Sequence, residues 1–116
     1  MKIYNAVFEA QSLALEKGNG RMSGKELDSI ARTHIANCGF GEYFGHGLGH
    51  GLGLEVHEAP RVNQANESVL PVGAVVTIEP GIYIEGKFGV RIEEDVVIHE
   101  DRLERLTCLD RKLQLI

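Results

Sequence analysis

Residues 44–58 read Phe44-Gly45-His46-Gly47-Leu48-Gly49-His50-Gly51-Leu52-Gly53-Leu54-Glu55-Val56-His57-Glu58. Three of the five histidines of the chain lie in this stretch, together with five glycines. Because each glycine inside a helix costs about 1 kcal/mol relative to alanine, the stretch is not expected to be helical. It predicts an irregular loop whose backbone uses angles that glycine alone reaches cheaply. A rigid loop that aims several imidazoles into one space is typical of metal or proton chemistry.

Two acidic residues interrupt apolar, strand-like runs farther along the chain. Glu79 follows Val75-Val76-Thr77-Ile78, and Glu93 follows Gly89-Val90-Arg91-Ile92. A carboxylate in a buried strand is costly unless it is paired or binds a metal ion. Histidine together with two glutamates is a plausible ligand set for a divalent transition metal. The alternative is a pair of buried salt bridges, for instance with Arg91.

Three ordered segments carry a resemblance to a known family: residues 46–58, 77–83 and 89–95. In order and spacing they resemble the Xaa-Pro aminopeptidase and proline dipeptidase family, the pita-bread metallopeptidases related to methionine aminopeptidase. The resemblance covers nearly the whole chain. It implies an α+β fold, half of a pita-bread domain, with two helices packed on a mainly antiparallel sheet.

The resemblance implies a metal-ligand role for His50, Glu79 and Glu93. Glu93 matches the position that bridges two metal ions. Glu79 matches a position that binds one ion and takes a proton from the attacking water.

Three further positions match residues that act on the substrate. His46 and His57 match pocket histidines, which can donate a hydrogen bond or a proton to the substrate. Arg91 matches a residue that orients carboxylates and substrate from outside the ligand set. The resemblance therefore predicts His46, His57, Glu79 and Arg91 as catalytic residues.

The implied reaction is hydrolysis of the peptide bond preceding proline in a dipeptide or a longer peptide. Two divalent ions about 3.5–4 Å apart would activate water and polarise the scissile carbonyl. Manganese or cobalt is expected, while zinc and iron are also compatible with mixed carboxylate and imidazole ligands.

The sequence also departs from the family pattern. Family members carry two aspartate metal ligands upstream of the helix on which this sequence opens, and neither aspartate motif occurs here. We therefore expect a single truncated unit, residues 1–116, equivalent to the C-terminal half of the catalytic domain. Whether it binds metal by itself stays open. Its expected partner is the missing half or a second copy, and the alternative function is a non-catalytic peptide-binding or interaction module.

Composition excludes several other classes of protein. A net charge of −5 over 116 residues disfavours nucleic-acid binding. No apolar run approaches the roughly 20 residues of a membrane span, and the N-terminus lacks the pattern of a signal peptide. A cytoplasmic protein with Cys38 and Cys108 reduced is the resulting expectation.

Two helices are predicted, over residues 2–17 and 23–38. An apolar stripe marks the first, and Gly18 is expected to end it in a left-handed conformation. Ser23 and Glu26 match a capping box at the start of the second, and Gly39 matches its stop.

The rest of the chain predicts strands. A polar surface loop is expected over 59–69, followed by antiparallel strands at 74–79, 82–85 and 90–98. On the last of these strands Arg91, Glu93 and Asp95 would share one face. A final strand is expected within 101–116, with five leucines as core candidates: Leu103, Leu106, Leu109, Leu113 and Leu115.

Overall fold

The computed structural model describes residues 2–52 and 58–106. Two α-helices come first, and short strands follow. The elements are α1 (Lys2–Lys17), α2 (Gly24–Asn37), a 3-10 turn (Gly41–Tyr43), β1 (Gly49–Gly51), β2 (Glu58–Val62), β3 (Val75–Ile78), β4 (Gly81–Ile84), β5 (Phe88–Arg91), β6 (Glu94–Ile98) and β7 (Leu103–Arg105).

Antiparallel pairing joins the strands into two sheets. Five strands form the larger sheet in the order β2-β1-β3-β6-β7, and β4 pairs with β5 in a separate hairpin. Helices α1 and α2 pack against each other, and α1 also packs on β3, β4 and β5. The architecture is therefore α+β, with two helices on antiparallel strands, as predicted. In the described part of the chain, no helix is long and apolar enough to cross a bilayer.

The first helix has its predicted bounds, but the chain does not leave it in the predicted left-handed conformation. Val7, Ala10 and Ala14 are fully buried, as the apolar stripe requires. Gly18 is not among the glycines with positive φ, so the predicted left-handed cap is wrong. A Cβ atom on Gly18 would lie 2.5 Å from Cδ1 of Leu103. The same Cβ atom would lie 2.7 Å from the carbonyl oxygen of Ala14, so the glycine is required by a backbone group of α1 as well as by the Leu103 side chain.

The capping box of the second helix is confirmed. The Oγ atom of Ser23 accepts a hydrogen bond from the amide of Glu26 at 3.1 Å, and the Glu26 carboxylate accepts one from the amide of Ser23 at 3.2 Å. Cys38 is the C-cap, and Gly39 follows with φ of 92°. The stop signal at Gly39 is thus confirmed, and the helix begins one residue later and ends one residue earlier than the prediction.

Strand pairing changes three predictions about the second half. The histidine stretch contains β1, which pairs with β2 on one side and β3 on the other. Strand β2 takes up the start of the predicted loop 59–69. The predicted strand 90–98 is two strands in different sheets, interrupted at Ile92 and Glu93. Arg91 and Asp95 therefore do not lie on one continuous strand.

Five leucines near the C-terminus were predicted to lie in the core, and the structure describes two of them. Leu103 on β7 is buried, whereas Leu106 is 49% exposed, so the core prediction for Leu106 is wrong. The other three, Leu109, Leu113 and Leu115, lie outside the described residues, as does Cys108. Cys38 is a free thiol, so the expectation of two reduced cysteines stays a prediction.

Candidate functional site

Four residues predicted from three segments of the sequence line one cavity of about 370 Å³: His46, His50, Glu79 and Arg91. Arg61 on β2 and Asn63, just after that strand, also line it. His57, predicted to act on the substrate, lies outside the described residues. The fold thus gathers the histidine stretch, the end of β3 and the end of β5 around a shared space.

The contact between His50 and Glu79 is the chemical centre of this cavity. The Nδ1 atom of His50 lies 3.0 Å from the carbonyl oxygen of Gly51, which can only accept a hydrogen bond, so Nδ1 carries the proton. The Nε2 atom lies 3.4 Å from Oε2 of Glu79. A proton on Nε2 or a cation bound by both groups would make this contact favourable. A backbone carbonyl that fixes the tautomer is also the usual support for a metal-binding histidine.

Backbone pairing brings these two residues together. The amide of His50 donates to Oγ1 of buried Thr77 at 3.1 Å. The amide of Glu79 donates to the carbonyl of Leu48 at 2.7 Å. These bonds hold the histidine stretch beside the end of β3.

Glycine is needed in the histidine stretch for a different reason from the one predicted. A Cβ atom on Gly49 would collide with the carbonyl oxygen of Thr77. The positive-φ glycines of the described residues are Gly39, Gly73 and Gly86, none of which lies in 44–52. The prediction of unusual backbone angles is therefore wrong for this part of the stretch. Gly49 allows two backbones to approach closely.

Glu93 lies near this pair but is more open to solvent. Partial burial of its carboxyl group raises the pKa of Glu93 above its ordinary value, and the charges of Glu79 and Asp95 raise it further. Arg91 and His50 act in the opposite direction on that pKa. The influence of His50 and Glu79 shows that the three predicted metal ligands share one electrostatic neighbourhood.

The proximity of these charges does not by itself form a complete set of metal ligands. Within 2–52 and 58–106, no three His, Cys, Asp or Glu side chains are arranged so that they could hold a metal ion. His50 and Glu79 are in contact, and the charges of both residues act on the carboxyl group of Glu93.

His46 is held by partners on both ring nitrogens. Its Nδ1 atom lies 2.7 Å from the carbonyl oxygen of Gly47 and donates to it, so Nε2 accepts from the hydroxyl of Tyr83 at 2.8 Å. The ring of Phe44 packs at a right angle to the imidazole, with centroids 5.1 Å apart. The sequence interpretation gave Tyr83 no role, although it lies in the segment 77–83 that carried the resemblance.

Three polar residues on the helices support the site, and the sequence interpretation overlooked them: Gln11, Asp28 and Arg32. Gln11 is fully buried, and its amide nitrogen donates to the carbonyls of Ile78 at 3.1 Å and Ile92 at 3.0 Å. These two residues immediately precede Glu79 and Glu93. Asp28 and Arg32 contact the histidine stretch. A polar residue inside an apolar helical stripe was the available signal for Gln11, and an acid–base pair spaced i, i+4 beside the stripe was the signal for the others.

Comparison with known proteins finds relatives along almost the whole chain. The profile of metallopeptidase family M24 matches residues 1–100. The Xaa-Pro dipeptidase of Pyrococcus horikoshii is 55% identical over 112 residues, which are 97% of this chain and 32% of that relative.

Solved structures give the same result for the fold. An X-Pro aminopeptidase from Thermotoga maritima superposes with a TM-score of 0.94 at 53% identity, over 98% of this chain and 32% of that one. The prolidase from Pyrococcus horikoshii superposes with a TM-score of 0.92 at 55% identity, over 97% of this chain and 32% of that one. These likenesses confirm the predicted half of a pita-bread fold. The chain spans about a third of the length of these relatives, and it belongs to metallopeptidase family M24.

Proposed function

We propose that the chain forms part of the active site of a metal-dependent peptidase that cleaves the bond preceding proline. The observation that carries this proposal is the 3.4 Å contact between His50 and Glu79 in a cavity that His46 and Arg91 also line. The similar proteins named Xaa-Pro dipeptidase and X-Pro aminopeptidase support the same substrate class.

The residues of the site fit a divalent metal in their donor chemistry. The lone pair on Nε2 of His50 and the carboxylate of Glu79 would hold the ion, and Glu93 is the further ligand that we propose. Imidazole and carboxylate together suit manganese, cobalt, zinc or iron. When bound, the metal would lower the pKa of water and polarise the scissile carbonyl.

The protein's own proton chemistry centres on Glu79 and His46. Glu79 lines the cavity, and its proposed role is to accept a proton from the attacking water. His46 lines the same cavity and is oriented by Gly47 and Tyr83. Its Nε2 atom would exchange a hydrogen bond with the substrate carbonyl or the leaving nitrogen in place of the Tyr83 hydroxyl. We propose the same type of role for His57.

Two arginines give the cavity its substrate preference. Proline nitrogen in a peptide bond has no N–H to donate, so recognition must use the ring and the flanking carbonyl or carboxylate. Arg61 and Arg91 both line the cavity. Guanidinium groups bind carboxylates through paired hydrogen bonds, which suits the free carboxylate of a dipeptide.

A non-catalytic peptide-binding module is the second candidate. It is favoured by Arg61 and Arg91, which line the cavity and can bind a peptide carboxylate whether or not a metal ion is bound. Such a module would keep the cavity and its arginines without turnover.

A chimera separates the two candidates. The 112 aligned residues of the Pyrococcus horikoshii relative are replaced by this chain, and hydrolysis of Xaa-Pro dipeptides is measured with added Mn²⁺. We expect turnover that is lost in Glu79→Gln and retained in the exposed control Glu100→Gln. A folded chimera that binds the dipeptide without cleaving it would contradict the peptidase proposal and favour the binding module.

A further inference from the structure

A buried ion pair on α2 contacts the histidine stretch. Asp28 is fully buried, and the side chain of Arg32 is 18% exposed. The Nε atom of Arg32 donates to Oδ1 of Asp28 at 2.7 Å, and Nη2 donates to Oδ2 at 3.2 Å. This two-point geometry fixes the plane of the guanidinium group.

The same guanidinium group holds the backbone on both sides of Gly45. Its Nη1 atom donates to the carbonyl of Phe44 at 2.9 Å, and Nη2 donates to the carbonyl of His46 at 2.7 Å. Asp28 completes the contact by accepting a hydrogen bond from the amide of Leu48 at 3.0 Å. Three backbone groups, spaced two residues apart, are thus tied to one side-chain pair.

Arg32 also reaches the His46 ring through a neighbour. The guanidinium carbon lies 4.1 Å from the centroid of the Phe44 ring, a distance at which a cation is attracted to an aromatic face. The Phe44 ring in turn packs edge-on against the imidazole of His46. Arg32 therefore contacts the backbone of His46 directly and its ring through Phe44.

From this convergence we infer that the Asp28–Arg32 pair is a positioning device that sets the orientation of the His46 side chain. The inference rests on the proposed role of His46 at the substrate. Arginine is required because four of its N–H groups are used at once, to two carboxylate oxygens and two carbonyls. Lysine keeps the positive charge, but it lacks the planar guanidinium group and the distance between its outer nitrogen atoms.

Nuclear magnetic resonance of the histidine rings in the full 116-residue chain tests the inference. In the native protein, ring nitrogen shifts should report a proton on Nδ1 of His46, with cross-relaxation between His46 and Tyr83. In Arg32→Lys, we expect this cross-relaxation to fall by about half or more and the ring nitrogen shifts to move toward those of an unrestrained imidazole. Backbone spectra and amide protection in β3 and β6 should stay native.

Two control variants separate positioning from stability. Arg21→Lys makes the same change at an exposed arginine that pairs with Glu100 at 3.7 Å, and it should leave His46 unchanged. Val7→Ala weakens the core at a buried position on α1, and it should lower stability without moving the His46 signals. Unchanged His46 signals in Arg32→Lys, or equal changes in Val7→Ala, would overturn the inference.

A double variant covers the case in which Arg32→Lys does not fold. Asp28→Asn with Arg32→Gln removes both charges together, so no buried carboxylate is left unpaired, and the shorter glutamine cannot reach both loop carbonyls. It should disturb His46 in the same way, and native His46 signals in this variant would overturn the inference. Because these measurements need neither metal nor substrate, an inactive chimera would refute the proposed peptidase without deciding the role of Arg32.

Discussion

The Nε2 atom of His50 lies 3.4 Å from Oε2 of Glu79, although the two residues come from different strand segments. Pairing between β1 and β3 creates this contact. The amide of Glu79 donates to the carbonyl of Leu48, and the amide of His50 donates to the hydroxyl of Thr77. The site therefore depends on sheet register as much as on the identity of the two side chains.

Metal binding should depend on His50 and not on His46. His46 is occupied by Gly47 and Tyr83, whereas Nε2 of His50 faces a carboxylate. We expect His50→Ala to weaken Mn²⁺ binding by more than about tenfold, since even the outer partners of metal ligands contribute 10–100-fold. His46→Ala should bind almost as the native chain does. Titration calorimetry checks this, and equal losses in the two variants would contradict the assignment of His50.

The 116-residue chain alone should hydrolyse Xaa-Pro dipeptides at most feebly. His50, Glu79 and Glu93 are the metal ligands that we propose in this chain, and a two-metal site needs carboxylates on both sides of the ions. A continuous assay with Mn²⁺ and a Glu79→Gln control measures any turnover due to this site. Robust activity that disappears in Glu79→Gln would show that the aspartates are dispensable.

Gly49 and Gly45 offer a matched pair of substitutions. A Cβ atom at position 49 meets the carbonyl of Thr77, while a Cβ atom at position 45 has no neighbour within 4 Å. Gly49→Ala should destabilise the fold by about 1–3 kcal/mol because a backbone must shift. Gly45→Ala should stay within about 0.5 kcal/mol of the native protein. Urea unfolding measures both, and similar stability in the two variants would contradict the close-approach explanation.

The buried amide of Gln11 should be important for stability. Replacing it with methionine keeps the approximate volume but leaves the carbonyls of Ile78 and Ile92 without this donor. The cost expected for an unsatisfied buried polar group is about 1–3 kcal/mol. Gln64→Met, at an exposed position, should change the free energy of unfolding by less than about 0.5 kcal/mol. Equal values from urea unfolding would show that the two hydrogen bonds add little.

Association is expected at micromolar concentration. Strands β2 and β7 are the outer strands of the five-stranded sheet, and strand edges recruit other chains. Several large apolar side chains are also exposed, among them Val69, Val72 and Phe88. A homodimer is the simplest closed arrangement. Light scattering checks this, and a monodisperse monomer that binds no hydrophobic dye would contradict the prediction.

Local signals were sufficient for the bounds of the two helices and for the family. The capping box of Ser23 and Glu26 acts within one turn, so its residues could be read directly from the sequence. The ordered histidine and glutamate motifs identified the family because their spacing is preserved along the chain. Neither inference required knowledge of which segments meet in space.

Tertiary structure decided the features that depend on distant contacts. Gly49 is required by the close carbonyl group of Thr77, which is far from it in sequence. The break between β5 and β6 places Arg91 and Asp95 in different sheets, which a period-two pattern cannot reveal. Asp28 and Arg32 resemble a surface pair in the sequence. They form a buried support for His46 because the histidine stretch lies against α2, an arrangement set by strand pairing and core packing.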